Sequence, residues 1–166
     1  ISRKVVGQSV QKVAELAGVK VPEGTKVIIL KADKHGKEEQ LCREKMCPCM
    51  VALKYDTFED AVQIAKDNLL FEGAGHTTSL HSNNMDHIRY AGEVLPISRL
   101  IVNQPSSTGA GGALNNGFSP TTTLGCGSWG GNSISENLNY THLINISQIG
   151  MPHTRKIPTD EEIWAE

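Results

Sequence analysis

The 166-residue sequence has no apolar run near the roughly 20 residues that a membrane-spanning helix needs, and no basic stretch leading into an apolar one. A soluble, cytoplasmic protein with no membrane partner is expected. Neither sign of charge dominates, since 16 Lys and Arg stand against 18 Asp and Glu for a formal net charge of −2. No global field draws in nucleic acid or an anionic surface, and neither is an expected partner. Four cysteines are too few for a disulfide scaffold, and Cys42, Cys47 and Cys49 crowd into one short stretch, which fits reduced thiols in a cytoplasm. There is no G-x-G-x-x-G, no P-loop and no G-x-S-x-G, so the chain has neither a dinucleotide fingerprint of its own nor a hydrolase nucleophile motif. There are no internal repeats. The chain opens on Ile1 rather than Met and enters a helical pattern within a few residues, as a truncated or proteolytically trimmed piece would.

What is abundant is glycine, and it is concentrated. Eight of the 16 glycines lie between Gly109 and Gly131, inside an almost uncharged segment spanning 103–137. Glycine permits positive φ and close backbone approach, while Ser, Thr and Asn supply turn chemistry. A flexible linker would lack apolar anchors, but this segment carries Leu114, Phe118, Leu124, Trp129 and Ile134, with Leu138 just beyond. It reads as ordered loop, either the wall of a site or an interface, or a structural cover over the end of a sheet.

The rest alternates between helical and extended patterns. Val6, Val10, Val13, Ala14 and Ala17 form a helical stripe over 5–17 that Gly18 ends. KVIILK at 26–31 has the length and continuous apolar character of a buried strand. MVALKY at 50–55 is the next strand. The residues from Asp56 to Asp60 then open a helix with a cap and an acidic first turn, its stripe being Phe58, Ala61, Val62, Ala65 and Leu69. TTSLH at 77–81 is strand-like. A helix over 84–94 is expected to carry Met85, Ile88, Ala91 and Gly92 inward, and RLIV at 99–102 is a strand feeding the glycine-rich segment. The alternation implies an α/β fold with a mostly parallel sheet and flanking helices. HLINIS at 142–147 is one more strand candidate, placed to join an edge or another subunit's sheet.

Several residues carry chemistry. Four thiols match the number a tetrahedral zinc needs, but Cys42-x4-Cys47-x-Cys49 is not knuckle spacing, so no metal is expected and the cysteines read as small buried hydrophobes. Cys126, in Gly125-Cys126-Gly127, resembles a nucleophile on a tight turn, yet no base beside it in sequence activates it, and loop packing is the better account. His76 follows Gly73-Ala74-Gly75 at a helix-to-strand junction, where it can either approach a ligand or bond loop carbonyls. Glu44 is a natural acceptor for a ribose diol, although Arg43 and Lys45 beside it make a solvated, salt-bridged turn the default.

Together these motifs are familiar. LCREKMCP at 41–48, EGAGHT at 72–77, VNQP at 102–105, LGCGSWGGNS at 124–133 and HLIN at 142–145 resemble, in register, the CoA-acylating aldehyde dehydrogenases. The branch acting on succinate semialdehyde is nearest, and the acetaldehyde branch next. The resemblance implies the later part of the catalytic domain over 1–138, followed by a C-terminal oligomerisation strand and tail over 139–166. It implies NAD or NADP as cofactor, coenzyme A as co-substrate, an aldehyde substrate, a homo-oligomer, and a cysteine thioester route. The family's nucleophile lies upstream of the matched region, no cysteine here matches its motif, and the chain alone is expected to be inactive.

Carried over residue by residue, the resemblance gives Glu44 the nicotinamide ribose, with Met46 near the ring and Pro48 closing the motif. It gives Leu124 the wall of the nicotinamide and acyl pocket, Ser106, Gly125 and Trp129 the substrate pocket, and His76 a supporting role in proton or CoA handling. Cys47 and Cys49 depart from the residues usual around Pro48, and Gly109 to Gly112 depart from the usual loop. Two other expectations are a non-catalytic binding or oligomerisation module with the same fold, and a small thiol enzyme pairing Cys126 with His76.

Overall fold

The computed structural model describes residues 2–153 and 155–165. The first helix, α1 (Val10–Ala17), starts later than its stripe suggests. Gly7 is bent into the left-handed region at φ 69° and the Ser9 side chain accepts from the Lys12 amide, so Val6 falls outside the helix and is exposed. Gly18, at φ 68°, donates its amide to the carbonyls of Ala14 and Glu15 and ends the helix as expected.

β1 (Ile28–Ala32) and β2 (Cys49–Leu53) pair in parallel, with Ile28 opposite Cys49 and Leu30 opposite Val51. The expectation of a strand buried on both faces is corrected here. Burial alternates along both strands, and Ile29 and Met50 remain 59% and 50% exposed. Only one face of this two-stranded sheet is covered by the described residues, and period-2 side-chain alternation sends every other apolar residue to the open face.

α2 (Phe58–Phe71) begins at a capping box, in which the Thr57 hydroxyl accepts from the Asp60 amide and the Asp60 carboxylate accepts from the Thr57 amide. β3 (Gly75–Leu80) and β4 (Ile97–Val102) form a second parallel pair, joined by α3 (Met85–Val94). Val62, Ala91 and Leu95 centre the core, with Phe58, Ala65, Leu69, Leu80 and Leu100 packed around them. The expected inward face of α3 is partly wrong, because Met85 and Gly92 are exposed. The His87 ring stacks on Phe58 at 3.9 Å, which turns the His87–Ala91–Leu95 line toward α2 instead.

Beyond β4 the chain makes one helical turn, α4 (Ser106–Gly109), then loops with a 3₁₀ turn at Ser128–Gly130. The C-terminal strand expected over 142–147 does not form in this chain. Tyr140–Leu143 is a 3₁₀ turn capped by Asn139, and the residues after it run without ladder partners among the described residues. A strand requires a neighbour to take its amides and carbonyls, and the described residues supply none there. Leu143, Ile146, Ile149 and Met151 are all exposed. A short helix, α5 (Asp160–Ile163), follows, its start fixed by the Thr159–Glu162 capping box. Among the described residues no helix is long and apolar enough to cross a membrane.

Candidate functional site

The Glu44 turn is built from its backbone. Its amide donates to Glu72 Oε2 at 2.6 Å, while Arg43 Nη2 pairs with Glu72 Oε1 at 3.3 Å and Arg43 Cζ lies 5.6 Å from the Phe71 ring centroid. Lys45 Nζ donates to the Arg43 carbonyl. The neighbouring cations are thus occupied elsewhere: the turn is solvated and salt-bridged, as expected, but the bridge runs from Arg43 to Glu72 and not to Glu44. The exposed Glu44 carboxylate has no hydrogen bond or ion pair among the described residues. Met46 follows at φ 48°, an uncommon left-handed conformation for a non-glycine residue, with its side chain 60% exposed and its carbonyl held by the Gly7 amide. The Pro48 carbonyl accepts from Ile28, handing the turn into β1 and β2. Glu72 is the anchor of this arrangement. The Glu44 amide first, then the Arg43 guanidinium, hold its carboxyl below the ordinary glutamate value.

Glu72 leads directly into Gly73, Ala74 and Gly75, where β3 begins. Gly75 has φ 84°, and a Cβ there would overlap the Cys126 carbonyl and reach 2.9 Å from the Gly130 nitrogen. The glycine-rich segment therefore rests on the turn that presents His76. His76 is exposed, with Nδ1 3.2 Å from Thr77 Oγ1. A cavity of about 410 Å³ opens beside it, lined by His76, Thr77, Ser106, Ser107, Ala110 and Leu124 among others. Ser106 is held there by its hydroxyl, 2.7 Å from Ser79 Oγ.

Two buried polar side chains fasten this wall, and sequence reasoning missed both. Arg99, 3% exposed, donates from Nε to Thr77 Oγ1 at 3.1 Å and from Nη1 to the Gly125 carbonyl at 2.8 Å. Asn137, 6% exposed, donates from Nδ2 to the carbonyls of Ala110 and Ser119, each at 2.9 Å, and its backbone bridges that of Leu124. The one signal available for Arg99 was a cation at an inward position of an apolar strand.

His76, Ser106 and Leu124 therefore meet in one cavity, and Gly125 adjoins it. Trp129 does not join them: it sits exposed on its 3₁₀ turn, outside the lining of that cavity. The Glu44 turn is linked to this region through Glu72 and the glycine turn rather than by direct contact. Cys126 packs beside Gly130, its amide donates to Asn132 Oδ1, and its thiol makes no hydrogen bond to His76 among the described residues. All four cysteines are unpaired thiols. A larger cleft of about 600 Å³ shares no lining residue with the His76 cavity, and is formed chiefly by the side chains of the core itself, such as Phe58, Val62, Leu80 and Ala91.

Parallel strand pairs, a histidine at a strand mouth and a buttressed glycine-rich wall make up this α/β unit, and the chain is strongly homologous to one part of CoA-dependent aldehyde dehydrogenases. No family model matches it. The succinate-semialdehyde dehydrogenase (acetylating) of Clostridium kluyveri is 66% identical over 165 residues, covering 99% of this chain and 36% of that protein. The bifunctional aldehyde-alcohol dehydrogenase AdhE of Escherichia coli is 41% identical over 149 residues, covering 87% of this chain and 17% of the relative. The crystal structure of an acetylating aldehyde dehydrogenase from Geobacillus thermoglucosidasius matches with a TM-score of 0.82 at 32% identity, over 95% of this chain and 34% of that one. The chain thus spans about a third of the length of the Clostridium relative and the Geobacillus structure.

Proposed function

We infer that the chain is the later part of an NAD(P)-dependent, CoA-acylating aldehyde dehydrogenase, converting an aldehyde, CoA and NAD(P)+ into acyl-CoA, NAD(P)H and a proton. The observation that carries this inference is the 66% identity to the acetylating succinate-semialdehyde dehydrogenase across 99% of the chain. Succinate semialdehyde or a short-chain aldehyde is the substrate, and the cytoplasm the compartment. The reactive cysteine lies outside this chain, in the polypeptide that the longer relatives possess, and forms a thiohemiacetal and then a thioester. When bound, the nicotinamide takes up the hydride from that thiohemiacetal.

The residues present fit the cofactor in one specific way. The Glu44 carboxylate, unclaimed by its neighbours, offers two acceptor oxygens to the two hydroxyl donors of a ribose. Met46, exposed beside it, packs near the ring, and Pro48 fixes the exit of the turn. Leu124 and Gly125 wall the acyl pocket, and Ser106 lines it. Trp129, exposed here, belongs to its outer rim. His76 serves in a supporting role, handling a proton or the arriving thiol of CoA at its free imidazole edge. The exposed apolar stretch from Leu143 to Met151 is the oligomerisation surface and takes up strand structure against a second subunit.

The test is an assay of the full-length protein with aldehyde, CoA and NAD(P)+, following reduced cofactor by absorbance and acyl-CoA by mass. Acyl-CoA formed in step with reduced cofactor supports the assignment, and its absence with every short aldehyde would overturn it. Residues 1–166 alone should produce none. A second reading, a non-catalytic oligomerisation module, is favoured by the same exposed apolar stretch, and it predicts self-association without turnover in the full-length protein.

A further inference from the structure

Arg99 stands opposite Thr77 in the parallel register of β3 and β4, and shares the inward face of β4 with Ile101, which is 2% exposed. That face supports the glycine-rich wall at two places: a Cβ on Gly109 would come 3.0 Å from Ile101 Cγ2, and the Gly125 carbonyl is held by Arg99. No carboxylate pairs with Arg99 among the described residues. A buried cation is costly unless its donors are used. Here Nε and Nη1 reach neutral oxygens on two different elements, the Thr77 hydroxyl and the Gly125 carbonyl, while Nη2 is buried without a partner among the described residues. The guanidinium is planar and its donors are fixed relative to one another, so those two acceptors are held at a set separation, as no flexible ammonium could hold them.

The two acceptors belong to the His76 cavity. Thr77 lines it directly, next to His76, and Gly125 follows Leu124, which lines it from the glycine-rich segment. We propose that Arg99 is a positioning residue whose guanidinium sets the gap between the Thr77 edge and the Leu124 wall, and thereby the length of aldehyde the cavity accepts. This rests on the aldehyde dehydrogenase reading of that cavity. Arg99 touches no reacting group. It acts through Thr77 and Gly125.

The experiment compares full-length wild type with Arg99→Met, Arg99→Lys, Thr77→Val and Thr77→Ser, measuring kcat and KM for acetaldehyde and butanal, KM for NAD(P)+, and Tm. Misplacement of a pocket wall by about 1 Å costs on the order of 100-fold in rate. Arg99→Met is therefore expected to lose about 10- to 100-fold in kcat/KM for the preferred aldehyde, and to shift the ratio between the two aldehydes, while KM for NAD(P)+ stays close to wild type. Arg99→Lys, which restores charge but not the fork, recovers only part of the selectivity. Thr77→Val shifts the ratio in the same direction as Arg99→Met, and Thr77→Ser, which keeps the hydroxyl, does not. An Arg99→Met enzyme with the wild-type aldehyde ratio overturns the proposal, as does a Thr77→Ser enzyme that shifts as far as Thr77→Val. Should Arg99→Met not fold, the Thr77 pair decides. A wild type that makes no acyl-CoA removes the functional reading and this inference with it, whereas an active wild type with insensitive variants removes this inference alone.

Discussion

The amide of Glu44 donates to a carboxylate oxygen of Glu72 at 2.6 Å, across 28 residues of sequence. This bond ties the turn that presents Glu44 to the turn that presents His76. It leaves the Glu44 carboxylate itself unused, so one acid positions and the other is available to a ligand.

Loss of that tie is expected to follow pH in a defined direction. Because the Glu44 amide and Arg43 depress the Glu72 pKa, its contribution is present above the ordinary glutamate value of about 4.3 and is lost as pH falls through the lower folded-state value. Hydrogen-exchange protection of the Glu44 amide should therefore be constant at neutral pH and fall in the acid range. Glu72→Gln should lower that protection severalfold at pH 7, and the two proteins should converge as wild type is acidified. Equal protection in both at pH 7 would contradict the tie.

Two glycines separate close packing from backbone conformation. Gly75→Ala forces a methyl into the Cys126 carbonyl at a residue with φ 84°, whereas Gly131→Ala, at φ 69°, has nothing within 4 Å of its Cβ. The first is expected to cost about 3 kcal/mol or more and the second about 1 kcal/mol, by chemical denaturation. Similar costs at the two sites would mean that the glycine-rich segment does not rest on the His76 turn.

Asn137→Ala removes both donors that hold the carbonyls of Ala110 and Ser119. The Ala110 carbonyl, in a residue 6% exposed, is left buried without that donor at a cost of about 1–3 kcal/mol, while the exposed Ser119 can turn to water. The variant should melt lower and expose the 110–124 stretch to proteolysis before the rest of the chain. Unchanged cleavage there would show that Asn137 is not a fastener.

Thiol reactivity should rise late with pH at two of the cysteines. Desolvation pushes the Cys42 thiol up, and desolvation with the hydrogen bond to Cys47 pushes Cys49 up. Both are expected to alkylate slowly with iodoacetamide at pH 7, with rates climbing beyond pH 9, since the thiolate is the nucleophile. Peptide mapping checks this, and modification of Cys42 at the rate of a free thiol at pH 7 would refute it.

The elements with local causes were legible in the sequence. The Thr57–Asp60 capping box, the Gly18 stop and the apolar runs of the β1–β2 and β3–β4 pairs are each written within a few residues. One misplacement is local, since the Val6 stripe position loses to the Gly7 bend and the Ser9 cap. The others depend on distant partners. Met85 turns outward because His87 stacks on Phe58, and the 142–147 stretch has no neighbour to pair with among the described residues. The same holds at the candidate site. His76, Ser106 and Leu124 were singled out from motifs, and the structure brings them to one cavity, yet Arg99 and Asn137 were overlooked because their partners, Gly125 and Ala110, lie 26 and 27 residues away. A buried polar side chain is recognised by what it bonds, and sequence gives no view of that.

On the proposed function, these residues form one wall of a site whose nucleophile lies elsewhere. This is tested most directly by trapping the acyl-enzyme: full-length protein incubated with aldehyde and NAD(P)+ without CoA, digested and mapped by mass spectrometry. The acyl group is expected on a cysteine outside residues 1–166, released on adding CoA. Acylation of Cys126, or of Cys42, Cys47 or Cys49, would contradict it.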